Sequence, residues 1–158
     1  MNKSIISGLL ALQSMLFLTP VTAQELQPVQ TVRDCATTLL DARNTLEQGR
    51  DVTVGEIRSF DVSSSYPDYP AGRPMSYRFR IGGSAAKDIM MSPQLMTMIS
   101  KDVIEHCDTV SKVSFNLDQT DWEDTYGLLG QGRVGEFRCV EPGRGSGASL
   151  AWGYNTCL

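Results

Sequence analysis

Hydrophobic residues recur at intervals of three and four along the first part of the chain, which is the spacing of an amphipathic helix. Leu39 and Leu46 belong to this repeat. Proline is well suited to a first helical turn, and glycine commonly ends a helix. We therefore predict a helix from Pro28 to Gln48, with Gly49 as its stop.

A second helical repeat occupies residues 92–107. Ile99 and Val103 lie four residues apart on its apolar side. The hydroxyl of Ser92 is placed to cap this helix, and Pro93 takes the first helical position. These signals predict a second helix that ends close to residue 107.

The remaining hydrophobic positions alternate with polar ones, which is typical of half-buried strands. The clearest case is residues 76–81, where Tyr77 and Phe79 fall on one face and Arg78 and Arg80 on the other. Strands are predicted at residues 51–61, 76–81, 113–117, 122–129, 133–140 and 150–154.

The resulting order is helix, two strands, helix, four strands, which predicts an α+β fold. Short polar turns between strands require antiparallel neighbours. We expect an antiparallel sheet of about five or six strands with both helices packed on one face. The chain has no internal repeat and no linker that would divide it into two domains.

The first 23 residues predict a secretory signal peptide. Lys3 precedes an apolar run, and Val21-Thr22-Ala23 has the small residues of a cleavage site. The run is too short to span a bilayer, which takes about 20 apolar residues. We expect residues 1–23 to be removed and residues 24–158 to form one domain, exported to a periplasm or to the medium.

Four cysteines, Cys35, Cys107, Cys139 and Cys157, follow the predicted signal peptide. An even number in an exported chain predicts two disulfides, and the wide spacing disfavours a zinc site. Two helix faces that each present a cysteine favour Cys35–Cys107, which leaves Cys139–Cys157. The other connectivities stay open, because a regular hairpin would separate Cys139 from Cys157 beyond the ~7 Å limit of a disulfide.

The charge balance excludes some partners. The chain has 14 Lys and Arg against 18 Asp and Glu, a formal net charge of −4. Its cations are scattered, so no cluster of the kind that neutralises phosphates is present. We expect no nucleic-acid partner and no stable membrane anchor, and the sequence contains no cofactor motif.

A stretch dense in Ser, Pro and Gly predicts a loop after the first strand. Tyr66 and Tyr69 are each followed by a proline, so this loop is stiff and amphipathic, as binding surfaces often are. Arg73, Arg78 and Arg80 follow closely and are placed to form a rim for anions. We predict these five residues as a binding surface; the alternative is an ordered loop whose tyrosines cover the sheet edge.

An acidic run contains Asp118, Asp121, Glu123 and Asp124. Calcium needs several converging carboxylates, but this spacing is not that of an EF-hand, and alternation turns Glu123 and Asp124 to opposite faces. We therefore favour a solvated hairpin turn and predict no metal site. A rival hypothesis is a hydrolase that uses carboxylates alone, with Asp121, Glu123 or Asp124 among its acids.

His106 is the only histidine of the chain. It lies in the last turn of the second predicted helix, where the helix dipole stabilises an imidazolium. We interpret it as a surface residue rather than a general base. The glycine-rich segment Gly143–Gly147 lacks the Lys-Ser/Thr of a phosphate-binding loop and is interpreted as a hairpin connection.

Aromatic residues and cysteines punctuate residues 90–158 in a characteristic way. The pattern comprises Cys107, Val113-Ser114-Phe115, Asp121-Trp122, Tyr126-Gly127, Phe137-Arg138-Cys139, Trp152-Gly153-Tyr154 and Cys157. It resembles small exported cyanobacterial proteins of unknown function. The resemblance implies a bacterial periplasmic or secreted protein and brings no catalytic residue with it.

These observations favour a non-enzymatic binding or envelope-associated module, whose partner is a protein or a small molecule. The sequence contains neither a nucleophile–base pair nor a cofactor motif, either of which would have favoured an enzyme. The carboxylate hydrolase is one alternative. A rigid, disulfide-braced inhibitor of proteases, with the tyrosine-proline loop as its inserted element, is another.

Overall fold

The computed structural model of the chain describes residues 33–141 and 149–156. The predicted signal peptide, the segment Gly143–Gly147 and Cys157 lie outside these residues. The helices are α1 (Cys35–Glu47), α2 (Ala86–Met90) and α3 (Pro93–His106). The strands are β1 (Thr53–Val54), β2 (Arg58–Asp61), β3 (Met75–Gly82), β4 (Val110–Leu117), β5 (Glu123–Leu128), β6 (Val134–Glu136), β7 (Arg138–Val140) and β8 (Tyr154–Thr156).

The predicted α+β fold is confirmed. The main sheet has six strands in the order β1-β3-β4-β5-β6, and β2 also pairs with β3. Its pairings are antiparallel except β3–β4, which run parallel. The exception arises because α2 and α3 connect these two strands in a crossover, so that β4 starts from the same end of the sheet as β3.

The helices differ from the prediction in three respects. The first helix begins at Cys35 rather than Pro28, because Asp34 is extended and its carboxylate accepts a hydrogen bond of 2.7 Å from the backbone of Thr37. Ser92 precedes α3 as predicted, but its hydroxyl makes no cap hydrogen bond. The short helix α2 was not predicted, since five residues contain too little of a helical repeat to reveal it.

One face of the main sheet forms the core with the helices. Phe79 stacks on Phe115 with ring centroids 5.6 Å apart, and Tyr126 meets Phe115 edge-on. All three helices contribute buried side chains to the same cluster, among them Leu46 and Ile99. The prediction that the helices cover one side of the sheet is therefore confirmed. No helix among the described residues is long and apolar enough to cross a membrane.

A smaller hydrophobic cluster lies against the opposite face of the sheet. Its buried members are Val62, Tyr66 and Phe137. The strand predicted at 133–140 is interrupted at Phe137, whose ring packs over Gly127. A Cβ on Gly127 would clash with the Phe137 ring, so only glycine permits this approach.

The disulfide between Cys35 and Cys107 is present, as predicted, with the two Cα atoms 4.7 Å apart. It joins the start of α1 to the end of α3. Cys139 is also disulfide-bonded, and its predicted partner, Cys157, lies outside the described residues. The strands β7 and β8 pair in parallel with Cys139 opposite Asn155, so the regular hairpin that would have kept Cys139 far from residue 157 is not formed.

We expect the double substitution Cys35→Ala and Cys107→Ala to lower the free energy of unfolding by about 2–4 kcal/mol, because this bridge closes a long loop of the unfolded chain. Urea denaturation of the oxidised proteins measures the change. The double variant is preferable to a reductant, which would also break the disulfide of Cys139. A loss below about 0.5 kcal/mol would show that the bridge contributes little stability.

Candidate functional site

The face of the sheet opposite the helices is polar where the small cluster does not cover it. Alternation along β3 buries Phe79 against the helices and turns Arg78 and Arg80 to this other face. The parallel register sets Arg80 opposite Asn116 of β4. Asn116 in turn lies opposite Glu123 of β5. We call this surface the open face.

The strand β2 adds a third arginine to the open face. Arg58 lies directly opposite Arg78 in the antiparallel β2–β3 register. The guanidinium of Arg78 stands 4.7 Å from the centre of the Phe60 ring and forms an ion pair with Glu123 at 3.0 Å. Like charges directly opposite each other destabilise a sheet, so the Arg58–Arg78 pair is not explained by folding stability.

The two more exposed arginines are each held by one neighbouring carboxylate. Nε of Arg58 lies 2.8 Å from Glu56, and Nε of Arg80 lies 2.5 Å from Asp118. Within the described residues, the terminal Nη atoms of Arg58 and Arg80 have no hydrogen-bond partner. Each guanidinium therefore presents its outer edge to solvent.

These side chains line a cavity of about 600 Å³, within the range of about 300–1,000 Å³ that is usual for small-molecule sites. Glycines and polar side chains make up most of its wall. The lining residues are Thr53, Gly55, Glu56, Arg58, Phe60, Arg78, Arg80, Gly82, Gly83, Asn116 and Asp118. We call this space the arginine cavity.

A second cavity, of about 690 Å³, adjoins the arginine cavity and shares Arg78 and Asn116 with it. Its charges are mostly negative; the acids in its wall are Asp121, Glu123, Asp124 and Glu136. Partial burial raises the pKa of Asp124, although the indole of Trp122, which donates to both carboxylate oxygens at 3.2 Å, opposes the shift. Partial burial and the charge of Asp124 raise the pKa of Glu136. We call this space the acidic cavity.

The structure does not bring the five predicted binding residues together. Tyr66 is only 3% exposed, and its hydroxyl donates to Asn155 at 3.2 Å. Burial, with a smaller contribution from Glu123, raises the pKa of Tyr66 to about 12. Its ring lies 5.2 Å from the amine of Lys112 on the sheet, and Tyr69 packs against the same small cluster. Tyr66 therefore fits the alternative interpretation, in which the tyrosines of an ordered loop cover the sheet, better than it fits an exposed binding surface.

The loop that carries these tyrosines is tied down at its tip. Asp68 accepts hydrogen bonds of 2.9 and 3.1 Å from the backbone of Trp152. A loop that inserts into a protease cleft has to project, so this contact disfavours the inhibitor hypothesis.

Arg73 contacts the backbone of the protein and is not part of the predicted rim for anions. Its Nη1 donates at 2.8 Å to the backbone oxygens of both Ile104 and Val110, which ties the end of α3 to the start of β4. Of the predicted binding residues, Arg78 and Arg80 alone face the arginine cavity.

The members of the acidic run have different partners. Asp118 pairs with Arg80, and its carboxylate accepts from the backbone of Gln119 at 3.0 Å, as in the predicted turn. Glu123 pairs with Arg78, while Asp124 contacts Trp122. In the part of the chain that the structure describes, no three His, Cys, Asp or Glu side chains are grouped to hold a metal ion.

His106 occupies the end of α3, as predicted. Its Nδ1 lies 2.8 Å from the backbone oxygen of Asp102, one turn earlier in the same helix. The Asp102 carboxylate also pairs with Arg33 at 2.7 Å. These contacts are typical of a histidine in the last turn of a helix.

Sequence reasoning missed Arg58, Phe60 and Asn116. The alternation of residues 51–61 is irregular because this segment forms two short strands, β1 and β2, that pair with different parts of β3. The spacing of two between Arg58 and Phe60 was a signal, but only the register places them beside Arg78.

We expect Arg58→Thr to raise the free energy of unfolding by about 0.2–1 kcal/mol at low ionic strength, because it removes the like-charge pair across β2 and β3. Arg80→Thr is the matched control, since Arg80 faces Asn116 instead of an arginine. Urea denaturation of both variants, repeated in about 0.5 M NaCl to screen the charges, measures the difference. A loss of more than about 1 kcal/mol for Arg58→Thr would show that Arg58 stabilises the fold.

Comparisons with known proteins identify no relative. No protein-family model, no curated protein and no solved structure matches the chain. The function proposed below therefore rests on the side chains of the open face.

Proposed function

We propose that this chain is an exported, non-enzymatic binding module whose ligand occupies the arginine cavity. The observation that supports this function is the grouping of Arg58, Arg78 and Arg80 around one cavity on a sheet face that the helices leave uncovered. Arginine is the cation best suited to planar, two-pronged recognition of a ligand. We therefore place the proposed contact surface on β2 and β3, whereas the sequence had predicted it on the tyrosine-proline loop.

Export is the second part of the proposal. The signal peptide predicted at residues 1–23 lies outside the described residues, and the Cys35–Cys107 disulfide supports the same compartment. Disulfides persist in oxidising spaces such as a periplasm or the medium. The resemblance to exported cyanobacterial proteins favours a bacterial host.

The proposal of a non-enzymatic module is supported by the contacts of the histidine and the cysteines, the side chains that most often transfer protons or attack substrates. The single histidine binds the backbone of its own helix. Cys35 and Cys107 are joined in a disulfide, and Cys139 is disulfide-bonded as well. The arginine cavity offers a ligand the fixed positive charges of its guanidinium groups.

Native mass spectrometry of the protein purified from its own host tests this function. We expect the wild-type protein to retain a ligand that the double variant Arg58→Ala, Arg80→Ala loses, because both side chains line the cavity. Arg133→Ala is the control, since Arg133 is exposed and lies outside the cavity lining. Equal retention by all three proteins, or by none, would contradict the assignment of the cavity.

The acidic cavity gives one observation in favour of a hydrolase. Glycosidases combine a protonated carboxylic acid with an ionised carboxylate, and a raised pKa makes such an acid available. Asp124 and Glu136 both have a raised pKa and both line this cavity. Asp124 was among the acids considered from the sequence, whereas Glu136 was not.

A panel of chromogenic glycosides tests the hydrolase. If this second function is correct, turnover is measurable and falls at least about 100-fold in Asp124→Asn, because the amide can no longer transfer a proton. Asp88→Asn is the control, since Asp88 is exposed on α2. Absence of turnover across the panel, or equal rates for both variants, would eliminate this candidate.

A further inference from the structure

We infer that the ligand of the arginine cavity is a short acidic oligosaccharide, one that carries carboxylate or sulfate groups on a hydroxyl-rich chain. This inference rests on the proposed binding function and names the ligand class of the same site.

The first argument is the free edge of two guanidinium groups. Glu56 and Asp118 contact Arg58 and Arg80 through Nε, which leaves the Nη1 and Nη2 donors of each arginine without a partner among the described residues. Two parallel N–H donors match the two oxygens of a carboxylate or sulfate. The arginines are therefore held in place by one acid each and still able to bind another.

The second argument is the spacing of these two groups. Arg58 lies opposite Arg78, and Arg80 follows two residues later on the same face. The Cα atoms of diagonal neighbours of this kind in an antiparallel pair lie about 7–8 Å apart, so the two side chains start from neighbouring positions on one face. A ligand with two anionic groups on a short chain reaches both arginines at once.

The third argument is the unfavourable pairing of Arg58 with Arg78. Surface ion pairs of the kind that each arginine forms contribute little stability, so they do not explain why like charges were placed directly opposite each other. A bound anion relieves this repulsion. Charge repulsion that lowers the stability of the ligand-free protein is often found at functional sites.

The carboxylates in the wall distinguish a sugar from other anions. Glu56 and Asp118 would repel a ligand that has only negative groups. The hydroxyl groups of a sugar donate hydrogen bonds to such carboxylates, and they can donate to the amide oxygen of Asn116, whose nitrogen already donates to the backbone oxygens of Thr120 and Trp122. An acidic sugar supplies an anion for the arginines and donors for the acids.

The wall also disfavours an acidic peptide. Among the described residues of the lining, Phe60 is the one with an aromatic side chain, and the guanidinium of Arg78 lies 4.7 Å from the centre of its ring. Because the other described lining residues are glycines or carry polar side chains, few apolar side chains are available to select those of a peptide. The adjoining acidic cavity limits the ligand to a short anionic segment, because Asp121 and Glu136 repel a longer one.

Isothermal titration calorimetry with three probes of similar length tests the inference. The probes are a trimer of galacturonic acid, the neutral trimer of galactose and a triglutamate peptide. We expect the acidic sugar to bind at least about tenfold more tightly than either of the others, and its affinity to fall as the salt concentration rises.

Variants separate recognition by a guanidinium fork from attraction by charge. Arg80→Ala should weaken binding of the acidic trimer about tenfold or more, and Arg80→Lys several-fold, because lysine keeps the charge but not the paired donors. Arg133→Ala should leave the affinity unchanged. Circular dichroism and the urea midpoint of each variant confirm that the fold is retained.

Each result bears on the inference. Equal binding of the neutral trimer, tighter binding of triglutamate, binding by Arg80→Ala equal to that of the wild type, or no binding of any probe would overturn it. If these results occur while a host ligand is still lost from Arg58→Ala, Arg80→Ala in native mass spectrometry, the ligand class is wrong and the binding function stands. If the host ligand is absent or unaffected as well, both fail.

Discussion

The two-residue alternation of β3 is the constraint on which the rest of the structure depends. Phe79 and Ile81 are fully buried under the helices, and each contributes about 1.5–3 kcal/mol by leaving water. Their burial obliges Arg78 and Arg80 to point the other way. A slip of one residue would place two guanidinium groups in the apolar core, so the register that stabilises the fold also builds the open face.

The small cluster around Tyr66 and Phe137 then decides which part of that face stays open. It covers Gly127 and places the Tyr66 ring 5.2 Å from the amine of Lys112, and burial lowers the pKa of this lysine. Asn155 extends the cover by donating to Thr125 at 3.1 Å. Arg58 and Arg80 are not members of this cluster, and their side chains remain more than half exposed. A polar face half covered in this way is suited to recognising a small ligand.

Several features could be predicted from the sequence because they depend on neighbours along the chain. The helical repeat, the alternation of residues 76–81 and the turn signals were sufficient for the α+β class and for most element positions. The Cys35–Cys107 bridge followed from two amphipathic helices that each present a cysteine. Arg78 and Arg80 were singled out because they closely follow the tyrosine-proline loop, and the alternation of residues 76–81 set them on the polar side of their strand.

Contacts between distant segments could be decided only by the tertiary structure. Tyr66 has the composition of a binding loop, yet Phe137 and Trp152, far along the chain, bury it. The β3–β4 pair is parallel because the crossover through α2 and α3 packs back onto the sheet beside β3, which a local pattern does not record, and Arg58 joins the site through register alone. The sequence by itself determined which residues are amphipathic and where elements form, since those properties are local. Which faces meet, and therefore which arginines share a cavity, depends on packing between elements that no local pattern records.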